Sequence, residues 1–238
     1  MSGADVRRGT LRAVSENSVP GFLPSRNGFH FVNGWPPGPA VWLSIGPIAL
    51  GLGNAADGLC GGMAFATRDR FQRGEVPPPD TSPPAPGTML FREIVRRQID
   101  SFDHLVRLPL RLYVLAALHP SGPNRWARLV GLVPRATLAV RDEWPKIRAD
   151  IDGGRLSMLG LIRSTSANPV HLGHNHQVVA WAYDVSPTEL TLRLYDPNWP
   201  DRDDVSIRVR LAGGSTVDLT QSTGEALFGF FRAPYTPP

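Results

Sequence analysis

The sequence predicts an α+β domain, with helices in the first part and an antiparallel sheet in the second. Three observations carry this. Apolar residues recur at helical spacing through much of 58–151. From 156 onward the period shortens to strand-like runs separated by turn residues. Gly and Pro number 24 each among 238 residues, which excludes long bundles and coiled coils and calls for many turns. Helices followed by strands, rather than alternating with them, read as segregated layers. The length suits one domain with a sizeable core.

Residues 1–53 are rich in turn signals, among them Asn27-Gly28, Asn33-Gly34 and Pro36-Pro37-Gly38-Pro39. This segment is expected to wrap around the domain rather than form its core, and the domain proper is read as 54–238. In 58–71, Cys60, Met63, Ala64 and Ala66 lead towards Phe71 with few breakers. That predicts a helix with Cys60 in its first turn and Asp57 as candidate N-cap. Prolines 77, 78, 79, 83, 84 and 86 make 76–87 a stiff exposed loop. Leu90, Phe91, Ile94, Val95, Ile99 and Phe102 then fall on one helical face, with Arg92, Arg96 and Arg97 on the other. A second apolar helical stretch, 110–118, is fenced by Pro109 and Pro120. A third helix is predicted over 137–151, with a break near Pro145 and a stop at Gly153-Gly154. The strands are expected at 156–162, 177–183, 189–195 and 205–211, with 226–231 as a fifth.

Composition narrows the function classes. Hydrophobic residues are 42% and charged residues 19%, so the chain is not a charged disordered one. The net charge is +4 and arginine supplies nearly all of the positive charge, since lysine occurs only at Lys146. No run of cations is interleaved with aromatics, so no nucleic-acid partner is expected. The single cysteine, Cys60, excludes an intramolecular disulfide and a multi-cysteine metal site. Residues 1–19 carry no apolar signal core. The apolar run 40–52 is short and interrupted by Pro47, unlike a membrane span. The expectation is a soluble protein, cytoplasmic by default and without a membrane partner; export without a cleaved signal stays open.

Three residues could together carry chemistry. A cysteine at a helix start sees unpaired backbone N–H groups and the positive end of the helix dipole, both of which favour thiolate. The glycines that follow Cys60 would let a substrate backbone approach. The plain alternative is a small buried apolar residue. His176, at the start of a predicted strand in Asn175-His176-Gln177-Val178, suits a general base. Asp196 ends the next strand in Tyr195-Asp196-Pro197-Asn198. If the two strands pair, Asp196 lies beside His176 and can orient the imidazole; otherwise it is an Asp-Pro turn. Cys60, His176 and Asp196 then form a nucleophile, base and orienter. Asn54, six residues before Cys60, could donate to an oxyanion beside the Cys60 N–H.

The blocks Gly58-Leu59-Cys60-Gly61-Gly62-Met63, Asn175-His176-Gln177-Val178 and Tyr195-Asp196-Pro197-Asn198 resemble the three signature blocks of papain-like cysteine peptidases. The nearest branch is the bacterial one that includes bacteriocin-leader processing peptidases. The stretch 144–162, with its Asp152-Gly153-Gly154-Arg155 turn, is similar to the segment that precedes the His strand there. The resemblance covers roughly residues 54–200. It implies a papain-like fold, a helical lobe packed on an antiparallel sheet lobe, and thiol-dependent hydrolysis or acyl transfer on an amide of a protein or peptide substrate. It implies Cys60 as nucleophile, His176 as base, Asp196 as orienter and Asn54 in the oxyanion role, with no metal or organic cofactor. Two departures stand out. Asn54 occupies a position where the family usually has the longer Gln, and Gly61 replaces the aromatic that commonly follows the nucleophile.

Two other classes compete. His171, His174 and His176 fall within six residues and could ligate a divalent metal with Asp196, although no helical His–Glu motif supports this. A binding module that keeps the fold without turnover would carry the same blocks.

Overall fold

A computed structural model describes residues 14–45, 48–54, 58–101, 134–164, 176–212 and 215–238. For 39–45, 48–54, 212 and 215–217 it describes the backbone only. The predicted helix at 110–118 lies outside the described residues, as do Asp57, Phe102, His171 and His174.

The second half of the chain is a curled antiparallel sheet. Its strands are β4 (Ser157–Ile162), β5 (His176–Val185), β6 (Glu189–Tyr195), β7 (Ser206–Ala212), β8 (Ser215–Gln221) and β9 (Gly229–Arg232), in the spatial order β8-β7-β6-β5-β4-β9. A seventh strand, β1 (Ser15–Ser18), pairs with the later half of β5 while β4 pairs with the earlier half. Every residue of β4 is buried and β5 is nearly so, as expected of central strands covered on both faces. β6 alternates between buried and more open positions over most of its length. Its exact span, 189–195, is the one the apolar alternation predicts.

Four strands escape the sequence patterns. β8 is a polar run, STVDLTQ, with nothing to mark it as a strand beyond pairing with β7. β2 (Pro39–Ile45) and β3 (Ile48–Asn54) form a separate two-stranded sheet inside the segment read as turns. β1 holds only polar side chains.

The helices precede the sheet. α1 is a single turn, Pro24–Asn27, α2 spans Cys60–Arg73 and α3 spans Met89–Ser101. The third predicted helix is one continuous helical run: α4 (Arg135–Leu138), a π-helical stretch Ala139–Glu143, and α5 (Trp144–Asp152). The break expected near Pro145 is this π-helical stretch. Proline has no N–H to donate and crowds the preceding turn, and the wider π turn absorbs both.

α2 is buried from Gly61 through Asp69, because α3 packs on one side and β5 on another. A helix covered all round shows no amphipathic stripe, so it was legible from its lack of breakers rather than from periodicity. On α3 the inward residues are Phe91, Ile94, Val95, Gln98 and Ser101, while Ile99 is exposed. Arg97 does not share the solvent face with Arg92 and Arg96. It is buried, because Asp69 on α2 receives it. The N-cap of α2 is Leu59, with no side-chain cap of its own, and not Asp57.

The N-terminal segment does more than wrap. Val19 and Phe22 belong to the main core with Trp181 and Ile147, and Phe22 meets the Phe71 ring edge-on at 5.1 Å. Phe29, Phe31 and Trp35 join Met63, Phe91 and Ile94 in a second core between this segment, α2 and α3. Large aromatics contribute most to burial, so the segment is structural in both cores.

Candidate active site

The topology brings three ends to one place. β5 and β6 pair with Val179 opposite Tyr195, so His176 and Asp196 both project at the same end of the sheet. α2 packs against β5 and begins at Cys60. β6 stops at Tyr195 because Pro197 has no N–H for a further ladder bond. The chain turns there: Trp199 N–H donates to the Asp196 carbonyl at 2.9 Å.

His176 Nε2 donates to Asp196 Oδ1 at 2.6 Å, and the two side chains are 5% and 0% exposed. That fixes the ring and leaves Nδ1 unused by the carboxylate, while the Cys60 thiol lies close enough for its charge to act on the imidazole. Cys60 Sγ also accepts the Gln177 backbone N–H at 3.4 Å. Unlike its two partners, Cys60 is partly exposed.

Asp196 is held on both oxygens. Oδ1 accepts Asn198 N–H at 2.9 Å as well as the imidazole. Oδ2 accepts Gln221 Nε2 at 2.9 Å and the Arg163 guanidinium at 3.4 Å, and Arg163 also donates to Gln221 Oε1 at 2.9 Å. Gln221 ends β8, the strand missed in the sequence, and Arg163 directly follows β4. Sequence reading named neither. A glutamine at a strand end and one arginine among many give no local signal, since their partner is remote in sequence.

The charges reinforce one another. Burial opposes the imidazolium of His176, but the Asp196 carboxylate and the Cys60 thiolate outweigh it and raise its pKa to about 10. Burial also opposes ionisation of Cys60; His176 and the Gln177 N–H overcome it and hold the thiol below its ordinary value. Burial works against the Asp196 carboxylate, yet His176, Asn198 and Arg163 keep it below the usual range. The fold therefore shifts Cys60 towards thiolate and His176 towards imidazolium, with a carboxylate behind them.

The first turn of α2 adds donors. Gly62 N–H is taken by Gln98 Oε1 at 2.7 Å. The Cys60 and Gly61 amides have no acceptor among the described residues. Amides of this kind at a helix start are suited to developing negative charge. The glycines following Cys60 serve a different purpose from the one expected. A Cβ on Gly62 would lie 2.1 Å from the Ile94 carbonyl oxygen, and one on Gly61 would lie 2.3 Å from Ser101 Oγ. They admit α3 and the Gln177 side chain rather than a substrate.

Asn54 ends β3 opposite Pro39, and its side chain is not among those described. Of the histidine cluster only His176 is described, and it is engaged by Asp196 and Cys60. No group of three His, Cys, Asp or Glu side chains among the described residues has the geometry to hold a metal. No helix among them is long and apolar enough to cross a membrane. In comparisons with protein-family models, curated proteins and solved structures, nothing matches the chain.

Proposed function

We propose that this chain is a papain-like thiol hydrolase or acyl transferase acting on an amide of a protein or peptide substrate. The observation that carries the reading is the buried 2.6 Å His176–Asp196 bond, with Cys60 Sγ held at the start of the same strand by the Gln177 N–H at 3.4 Å. The scheme uses these side chains and the backbone amide of Cys60, and no cofactor enters it.

In the first half-reaction Cys60 Sγ⁻ attacks the carbonyl carbon. The S–C bond forms and the carbonyl π pair moves to oxygen. The Cys60 N–H, with Asn54 as second donor, stabilises that oxyanion. As the tetrahedral adduct collapses, the C–N bond breaks and His176 Nδ1–H protonates the leaving amine. A thioester remains on Cys60. In the second half, His176, now neutral, removes a proton from water or an incoming amine, which attacks the thioester carbon. Sγ leaves as thiolate and the starting ion pair is restored. Asp196 keeps Nε2 engaged throughout and stabilises the imidazolium.

The test is the pH dependence of Cys60 alkylation by iodoacetamide in wild type and in His176→Ala. Wild type should react well below the free thiol pKa of about 8.5, and His176→Ala should return to an ordinary thiol profile. An ordinary profile that ignores His176 makes Cys60 a packing residue and removes the proposal.

A further inference from the structure

We propose that Asn33 is a positioning residue that fixes the start of α2 to the Asp196 turn and so sets the Cys60–His176 contact; this rests on the thiol reading above. Asn33 makes three hydrogen bonds across the site. Its backbone N–H donates to the Pro197 carbonyl at 2.9 Å. Its Nδ2 donates to Asn198 Oδ1 at 3.0 Å. Its Oδ1 accepts Leu59 N–H at 2.6 Å.

Each partner is next to a reacting group. Leu59 directly precedes Cys60 and caps α2, which has no side-chain cap of its own. Asn198 donates its backbone N–H to the same Asp196 oxygen that receives His176. One carboxamide thus joins the nucleophile's side of the site to the base's side. The job needs an acceptor and a donor on one short side chain, which Asn supplies and Asp or Ala does not.

Gly58 shows that the junction is built for this contact. Its φ is +87°, and a Cβ there would lie 2.6 Å from Asn33 Nδ2. Glycine admits both the backbone turn into α2 and the amide lying against it. Without Asn33, the Leu59 N–H and Asn198 Oδ1 each lose a partner, and the first turn of α2 is free to shift relative to β5. A shift of that kind lengthens the Gln177 N–H bond to Cys60 Sγ and moves the thiolate away from His176.

The experiment is the same alkylation profile, in the full chain, for Asn33→Ala, Asn198→Ala and the double variant, with near-ultraviolet circular dichroism reporting the fold. In folded Asn33→Ala the midpoint should rise by about one pH unit, slowing alkylation on the acid limb roughly tenfold. Asn198→Ala, which keeps its backbone N–H on Asp196, should move the midpoint the same way. The double variant should be no worse than Asn33→Ala alone, because both single changes break one bridge. A wild-type profile in folded Asn33→Ala overturns the proposal. If Asn33→Ala does not fold, Asn198→Ala decides, and a wild-type profile there overturns it. An ordinary thiol in the wild type, indifferent to His176→Ala, defeats the thiol reading and this one with it. A reactive wild-type thiol unchanged by these variants defeats only this one.

Discussion

Asp196 is the residue on which the charges of the site depend. It is fully buried, and its two oxygens take donors from His176, Asn198, Gln221 and Arg163. The linkage has a defined sign. The Asp196 pKa is lowered in the fold, so its contribution to stability is present above its unfolded value of about 3.9 and is lost as pH falls. The His176 pKa is raised to about 10, so its contribution is full below the unfolded value and is lost as pH rises through that range. Wild type should therefore exceed Asp196→Asn in stability by about 2–3 kcal/mol between about pH 4 and pH 6.5, with the gap closing on both sides. Urea unfolding of both proteins across that range and beyond checks this, and a gap independent of pH would show that Asp196 acts through packing alone. Asp196 was legible in the sequence because an Asp at a strand end, beside a turn-forming Pro, stands at a predictable place. Asn33, Gln221 and Arg163 were not. Each finds its site partner tens of residues or more away, and hydrogen-bond partners at that range leave no periodic trace.

The nucleophile's element, α2, is held by glycines as much as by side chains. Gly62 sits where α3 passes closest, with Ile94 carbonyl oxygen 2.1 Å from where a Cβ would be. That oxygen belongs to a helix backbone, so it cannot swing aside as a side-chain tip would. Gly62→Ala must push α3 away and also disturb the Gln98 Oε1 bond to the Gly62 amide. Alanine has the better helix propensity by about 1 kcal/mol, so propensity alone predicts stabilisation. Overpacking costs about 1–3 kcal/mol and here also breaks a buried hydrogen bond, so the net prediction is destabilisation by about 1–3 kcal/mol. Thermal unfolding checks it, and a rise in midpoint would mean that the two helices are not pressed together at this point. Element identity was readable where composition forced it: α2 from an unbroken run, β6 from strict alternation. It failed for β8, where polar residues mask a strand that only pairing defines, and for β2 and β3, an apolar run read as turns because of Pro47, the glycines and the flanking turn signals.

At the scale of the molecule, both ends of the described chain join the helices to the sheet. The N-terminal segment enters both cores and reaches across the site at Asn33. Of its turn signals, Asn27 ends α1 and Pro39 begins β2; turn residues say nothing about the aromatics between them, and Phe22, Phe29, Phe31 and Trp35 are what anchor it. The C-terminal segment leaves β9 and crosses to the helices. Tyr235 Oη donates to Asp69 Oδ1 at 2.6 Å, and Arg97 donates to the Thr236 carbonyl at 2.7 Å. Arg97 is 1% exposed and Asp69 3%, with Nε and Oδ2 2.7 Å apart. A buried pair of this kind adds little over an apolar substitute for both partners, but removing one partner leaves the other charge buried without compensation. Arg97→Met should therefore cost about 3–5 kcal/mol, whereas Arg202→Met, whose partner Asp204 is exposed, should leave stability close to that of the wild type. Salt separates the two further. The Arg202–Asp204 pair lies in solvent and is screened, while the Arg97–Asp69 pair is shielded from ions. Raising salt should leave the Arg97→Met deficit unchanged in urea unfolding. A deficit that shrinks with salt would place Arg97 in contact with solvent and release the C-terminal segment from the role of tying α2 and α3 to the sheet.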